Sequence, residues 1–314
     1  MPTTLRFQGD TFKIVQLTDT HWTNFDERDR HTHRVIETVL DIEQPDLVFL
    51  TGDMIGGADC KDAERGILQL IQPIEERGIL WTAVMGNHDD ESSLSREELW
   101  RVMQTCAHFV GRRGPRRVTG VGNYVLPILD RRGEQPAAFL WGIDSNSYAT
   151  TDIGGWGWIT CDQIAWYEHT VHQVRRRWGI SPQEMRTVPA LAFFHIPLPE
   201  YDEVWHTQVC YGEKYEDVCA PKINTGFFAA LHEVGEVIGT FVGHEHINDF
   251  WGNLYGIRLC YGRVSGYGGY GKEGFLCGAR VIELEQNVRD FRTWLRLEDG
   301  TAVMNQPEHL PEGC

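Results

Sequence analysis

FKIVQLTDTH, residues 12–21, sets an apolar run over residues 14–17 directly before Asp19 and His21. A short apolar run closed by polar turn residues reads as a buried strand that delivers the next side chains to its carboxyl end. The pattern recurs along the chain. PDLVFLTGD (45–53) places Asp53 after an apolar run, and LWTAVMGNHD (80–89) places Asn87 and His88. LAFFHIPLP (191–199) ends its run on His195, and VIGTFVGHEH (237–246) delivers His244 and His246. Several intervening stretches have helical periodicity, so strand and helix alternate as an α/β fold requires. In such sheets ligands bind at the carboxyl ends of strands.

Asp19, His21, Asp53, Asn87, His195, His244 and His246 are all of metal-ligand type. Two divalent cations about 3.5–4 Å apart need an anion between them, and Asp53, alone in its block, suits that bridge. Imidazoles and an amide oxygen complete the shells without accumulating negative charge, which leaves positions for water and a phosphoryl oxygen. His88 is one histidine more than the metals need. Beside the metals and facing a leaving group it is a candidate general acid, with Asp89 available to orient its second ring nitrogen.

In this order, D-x-H, G-D, G-N-H-D, a lone His after a strand and G-H-x-H resemble the calcineurin-like metallophosphoesterase superfamily over residues 12–250. The stretches GNHDDESSLSREELW (86–100), FFHIPLPEY (193–201), TGFFAALHEVGEVIGTFVGHEHINDF (225–250) and LCYG (259–262) are similar to its purple-acid-phosphatase-like or cell-cycle-regulator-type phosphatases. The resemblance implies a four-layer αββα sandwich of two mixed β-sheets flanked by helices. It implies that Asp19, His21, Asp53 and His246 hold one metal and that Asp53, Asn87, His195 and His244 hold the other. His88 would then protonate the leaving oxygen. The cofactor it implies is a pair of divalent or mixed-valence ions such as manganese, iron or zinc. One departure stands out: purple acid phosphatases carry an iron-binding tyrosine three residues after the bridging aspartate, where this chain has Gly56.

The expected reaction is in-line hydrolysis of a phosphomonoester, from a small molecule or a phosphopeptide. The alternatives are a phosphodiesterase for cyclic nucleotides or other small diesters, and a non-catalytic scaffold that keeps metals for stability or partner binding. The rim discriminates the first two: a basic side chain near the metals suits a dianionic monoester, and aromatic walls suit a nucleoside.

With 29 Lys and Arg against 45 Asp and Glu the formal charge is −16, which argues against a long nucleic acid as partner. Two divalent cations would still reverse the field locally for a small phosphoester. No apolar run approaches the ~20 residues of a membrane span, and no secretory leader pattern or N-x-[ST] sequon is present. The cysteines at 60, 106, 161, 210, 219, 260, 277 and 314 form no C-x-x-C pair, so reduced thiols in a cytoplasm are expected, with Cys210 and Cys219 the best pair if there is one. A 314-residue chain with 41% hydrophobic content can bury a large core, and the motifs extend over most of it, so residues 1–314 are read as a single domain.

Strands are expected near 12–17, 46–51, 79–85, 122–128, 138–143, 189–195, 237–242, 255–261, 279–284 and 291–297. Helices are expected near 29–43, 61–77, 95–107, 160–178 and 226–233. The long stretches 111–120, 145–158 and 197–224 read as loops at a substrate rim. The first holds Arg112, Arg113, Arg116 and Arg117, either solvated or recruiting phosphate. GYGGYG (266–271) matches a dinucleotide fingerprint but precedes a strand instead of a helix, so it reads as a rim loop whose Tyr267 and Tyr270 could stack on substrate. His31 and His33 point to different faces of a helix. His108, His169, His172 and His232 read as solvated, and His206 as a possible substrate contact.

Overall fold

The apolar runs become the inner strands of two sheets. The computed structural model describes residues 4–311. In chain order its elements begin β1 (Leu5–Arg6), β2 (Thr11–Leu17), α1 (Glu27–Glu43), β3 (Leu47–Thr51), α2 (Ala63–Leu70), α3 (Gln72–Glu76), β4 (Leu80–Val84) and α4 (Arg96–Gln104). There follow β5 (Tyr124–Leu129), β6 (Pro136–Gly142), α5 (Cys161–Trp178), α6 (Pro182–Met185), β7 (Ala190–Phe193), α7 (Glu200–Thr207), β8 (Cys210–Tyr211), α8 (Phe227–Val234) and β9 (Val237–Val242). The chain closes with β10 (Trp251–Leu254), β11 (Ile257–Tyr261), β12 (Gly278–Glu285), β13 (Phe291–Leu297), β14 (Ala302–Val303) and β15 (Glu308–His309).

One sheet has six strands in the order β14-β13-β12-β2-β3-β4, the other nine in the order β1-β5-β6-β7-β9-β11-β10-β8-β15. Both are mixed: β2, β3 and β4 run parallel beside antiparallel β12, and β6, β7, β9 and β11 run parallel between antiparallel neighbours. Strand periodicity sets the layers. On β7, Leu191 and Phe193 join the core between the sheets, whereas Ala190 and Ala192 join the cluster under α5, α7 and α8. Phe49 of β3 stacks on Phe193 across the sandwich at 3.9 Å, and Phe193 stacks on Phe241 of β9 at 5.0 Å. α1 and α3 lie on the six-stranded sheet and α8 on the nine-stranded one. The architecture is the expected αββα sandwich.

Three local readings are corrected. The helix expected over 61–77 divides at Ile71 into α2 and α3, because Pro73 lacks the N–H that would continue the ladder and sits instead in the first turn of α3. The strand expected from 255 is half of a hairpin: Tyr255 (φ 49°) and Gly256 (φ 88°) make the two-residue turn that joins β10 to β11. The stretch 197–224 is not simply a loop. It contains α7, which has Pro199 at its N-cap, carries Glu200, Asp202 and Glu203 in its first turn and buries Tyr201 and Val204 one turn apart.

All five motif blocks leave the carboxyl ends of strands that run parallel to a neighbour: β2, β3 and β4 in one sheet, β7 and β9 in the other. Facing sheets therefore deliver their polar ends to one edge.

Candidate metal centre

Four of the seven ligand-type residues adopt left-handed backbone: Asp19 (φ 53°), His21 (φ 44°), Asp53 (φ 48°) and His244 (φ 80°). This is uncommon outside glycine, costs on the order of 1 kcal/mol each, and persists where surroundings over-determine it. Here backbone bonds do so: Asp19 N–H donates to Gly52 O (3.1 Å), His21 N–H to Asp53 O (3.0 Å) and Gly243 N–H to His195 O (3.1 Å). Gly86 serves close approach, since a Cβ there would lie 2.2 Å from both Asp53 N and Asp53 Oδ1.

The side chains converge as two buried triads, Asp19 with His21 and His246, and Asp53 with His195 and His244, each with its donor atoms within 4.8 Å. Asp53 Oδ1 accepts from His88 N (2.8 Å), while Oδ2 lies 3.1 Å from His195 Nε2 and 3.7 Å from His21 Nε2. Thus a single carboxylate oxygen faces both triads. His195 Nδ1 donates to Thr51 O and His246 Nδ1 to Tyr270 O, both at 2.8 Å. A carbonyl only accepts, so in each ring Nδ1 carries a hydrogen and Nε2 is the nitrogen turned to the centre. His21 Nε2 and His246 Nε2 stand 3.0 Å apart, close for two bases unless a proton or cation lies between them.

The donor set fits a metal pair. Asn87 Oδ1 and Nδ2 are buried without a hydrogen-bond partner, although unpaired buried polar atoms are costly. Burial sets the His21 imidazole at about 3 and His244 well below its ordinary range, so both rings are neutral and ligand-ready. Burial also acts to lower His195, but the Asp53 and Asp19 carboxylates outweigh it and push this ring up to about 10. Burial raises Asp19, while at Asp53 the neighbouring His195 and His21 overcome burial and hold the carboxyl well below its usual range.

A scan against family models matches residues 12–248 to the calcineurin-like phosphoesterase family. The chain belongs to the calcineurin-like phosphoesterases. It is 33% identical to "Probable inactive purple acid phosphatase 29" of Arabidopsis thaliana, over 94% of this chain and 85% of that one. To "Phosphatase DCR2" of Saccharomyces cerevisiae it is 34% identical over 91% of this chain and 54% of the relative. Among solved structures, a dimetal phosphatase from Danio rerio has the same fold, with a TM-score of 0.60 at 12% identity, covering 95% of this chain and 98% of the other. A purple acid phosphatase from yellow lupin gives 0.56 at 13% identity, covering 95% of this chain and 53% of the other. Like its family, the protein is a hydrolase of phosphoesters.

Within this calcineurin-like frame, the reading of Asp89 as the partner of His88 is corrected. The Asp89 carboxylate is buried and accepts N–H bonds from Met54 (2.8 Å), Ile55 (3.2 Å) and Gly86 (2.7 Å), so it staples two motif loops together. His88 Nδ1 instead meets Glu91 Oε2 at 2.5 Å, and Tyr148 OH donates to Glu91 Oε1 at 2.5 Å. Burial acts to lower His88, but Asp53 and Glu91 raise it overall. Sequence reasoning also missed Arg96, which donates to Gly86 O (2.6 Å) and Asp144 Oδ1 (3.0 Å) and so supports the Asn87 loop from behind. Its signal was present in the capping box of α4, which fixes Arg96 as the first helical residue.

The rim is partly as expected. The glycine-rich loop lies against the site: a Cβ on Gly269 would fall 2.2 Å from His246 Cε1, and the Tyr270 ring stacks on His246 at 4.0 Å and 4°. Neither loop phenol supplies what Gly56 lacks, since Tyr270 OH donates to Glu216 Oε2 and Tyr267 OH to Glu298. The 145–158 stretch brings Trp156 edge-to-face with His244 at 4.3 Å. The arginine loop contributes no side chain to the pocket: Arg113 pairs with Glu97 at 2.8 Å and Arg116 approaches the same carboxylate. His206 is on α7 beside Asp202 and outside the pocket. His108 is half-buried and paired to Glu75 at 2.9 Å instead of solvated. Cys210 and Cys219 do not pair, and the cysteines among the described residues are free; Cys314 lies outside them. Among the described residues no helix is long and apolar enough to cross a membrane.

Proposed function

We propose that this protein is a phosphomonoesterase working through a dinuclear metal centre, one domain over its whole length, with Asp19, His21, Asp53 and His246 holding one ion and Asp53, Asn87, His195 and His244 the other. The observation that carries the reading is Asp53 Oδ2, which faces His21 and His195 of different triads at 3.7 and 3.1 Å. When bound, the metal pair supplies an activated water and electrostatic stabilisation of the phosphoryl oxygens. The chain's residues do the rest. The carbonyls of Thr51 and Tyr270 fix the His195 and His246 rings, and Glu91 accepts from Nδ1 of His88 and with Asp53 favours the doubly protonated ring, whose Nε2–H can serve the leaving oxygen. Ions of the manganese, iron or zinc kind suit this nitrogen- and oxygen-rich set. The free thiols support a reducing compartment, the cytoplasm.

The test is metal analysis with a screen of phosphomonoesters, diesters and phosphopeptides. Hydrolysis of p-nitrophenyl phosphate that vanishes on chelation and returns with a divalent ion is the expected result; metal-independent hydrolysis would remove the reading. One observation favours a second reading: neither Lys nor Arg lines the cavity, which suits a singly charged diester. Faster turnover of bis(p-nitrophenyl) phosphate than of the monoester would select it. The scaffold reading gains nothing from this chain, which keeps all seven ligand types and His88, although relatives bear the name "probable inactive".

A further inference from the structure

The cavity over the triads has a volume of about 260 Å³, and beyond the metal-ligand side chains and His88 its walls include Trp156, Tyr270, Cys219 and Glu245. One aromatic ring stands beside each triad, Trp156 against His244 and Tyr270 against His246. Tyr270 has one face on the imidazole and remains 53% exposed, so its other face is open to the mouth. Both rings are held in advance. Tyr270 OH is anchored on Glu216 Oε2 at 2.7 Å. Trp156 stacks with Tyr148 at 5.4 Å, in a short hairpin closed by Ala149 N–H to Gly155 O (2.9 Å) and Gly157 N–H to Ser147 O (3.0 Å). Tyr148 is in turn anchored on Glu91. Rings fixed before binding lose little freedom when a ligand stacks on them.

Charge around the mouth points the same way. The carboxylates Glu91 and Glu216 brace the rim, while Lys222 Nζ is turned to Ile153 O (2.8 Å) and Arg28 Nη1 to Gly268 O (3.3 Å). No Lys or Arg is among the residues lining the cavity to recognise a second anionic group on a substrate.

We propose that this pocket selects phosphoesters whose leaving group carries a flat, uncharged ring, held by Trp156 and Tyr270. The proposal rests on the phosphoesterase reading above and names its substrate class. A benzyl-type ring and a nucleobase share this chemistry. Stacking of a ring on such side chains changes affinity by about tenfold or more.

The test pairs esters of equal charge and similar leaving group: benzyl against ethyl phosphate, and adenosine 5′-monophosphate against ribose 5-phosphate. A kcat/KM preference of about tenfold for the ring-bearing member of either pair, carried mainly by KM, is expected, and the pair that shows it identifies the source. Trp156→Ala should bring that ratio toward one and Trp156→Phe should restore it. Binding is read separately by calorimetry, with phenylphosphonate expected to bind metal-loaded protein about tenfold tighter than methylphosphonate. Equal kcat/KM within both pairs, or a ratio unmoved in Trp156→Ala, overturns the proposal. If the wild type hydrolyses no ester at all, the phosphoesterase reading fails, and the phosphonate comparison still decides whether the ring site exists.

Discussion

Glu91 Oε2 stands 2.5 Å from His88 Nδ1, three residues away in sequence and on the side of the ring opposite the proton that catalysis would use. With Nδ1 engaged, Nε2 alone is free to meet a leaving oxygen. His88→Ala is expected to lower the rate by roughly 10²–10⁴ on alkyl esters and by less on p-nitrophenyl esters, which need little protonation. Glu91→Gln should lower it by ~10–100-fold with the same leaving-group dependence. Steady-state rates on both ester kinds check this, and equal losses on both would remove the general acid role.

Asp89→Asn should behave differently. Its carboxylate accepts three backbone N–H groups, and an amide places donors where acceptors are needed. A loss of about 1–3 kcal/mol of stability is expected, with no leaving-group dependence. Denaturant unfolding measures the first part and the rate ratio the second; a leaving-group effect equal to that of Glu91→Gln would restore Asp89 as the orienting group.

The shared oxygen of Asp53 makes a prediction about stoichiometry. Asp53→Ala should lose both metals, whereas Asn87→Ala should retain one, as read by elemental analysis after gel filtration. Because ligands that bind only the folded state stabilise it, by about 2.7 kcal/mol at a hundred times Kd, chelation should also lower the melting temperature. Two metals retained in Asp53→Ala would refute the bridge.

With Gly56 in place of a tyrosine, and with Tyr148, Tyr267 and Tyr270 each donating to a carboxylate, none of these three phenols is free to bind a ferric ion at the triads. The purified protein should be colourless, and manganese or another divalent first-row ion should reactivate chelated enzyme. A visible charge-transfer band in the protein as isolated would overturn this.

Glu236, at the far end of β9 from the metals, supplies a pH prediction. Burial raises its carboxyl from the ordinary 4.5 to about 7. A folded-state value above the unfolded one means that the associated stability is fully present below pH 4.5 and is lost as pH rises through about 7. Glu236→Gln should therefore unfold at higher denaturant than wild type above pH 7, by up to roughly 3 kcal/mol, with the gap closing toward pH 4.5. A difference that is flat across this window would show that Glu236 does not titrate as its burial requires.

Much of the site was legible because its signals are short. An apolar run, a glycine and a ligand-type residue within ten positions define a strand end, and five of them in order assign Asp19, His21, Asp53, Asn87, His195, His244 and His246 to one edge. The backbone that aims Asp19 and Asp53, at φ 53° and 48°, follows from the same short turns. The sequence by itself determined the alternation of strand and helix, the positions of the ligand-type residues and the absence of the purple-type tyrosine.

Tertiary structure decided the partners. Asp89 and Glu91 both stood within reach of His88 in sequence, and only the approach of the Met54 and Ile55 amides, 35 and 34 residues away, drew Asp89 off and left His88 to Glu91. The division of 61–77 depended on one missing N–H, and the helix after Pro199 on burying Tyr201 and Val204 against neighbours that local pattern does not name. Likewise Tyr270 meets His246 across 24 residues and Trp156 meets His244 across a sheet edge. Local propensity encodes which backbone a segment adopts. Which acceptor a buried donor finds is settled only when distant segments compete for it in the folded chain.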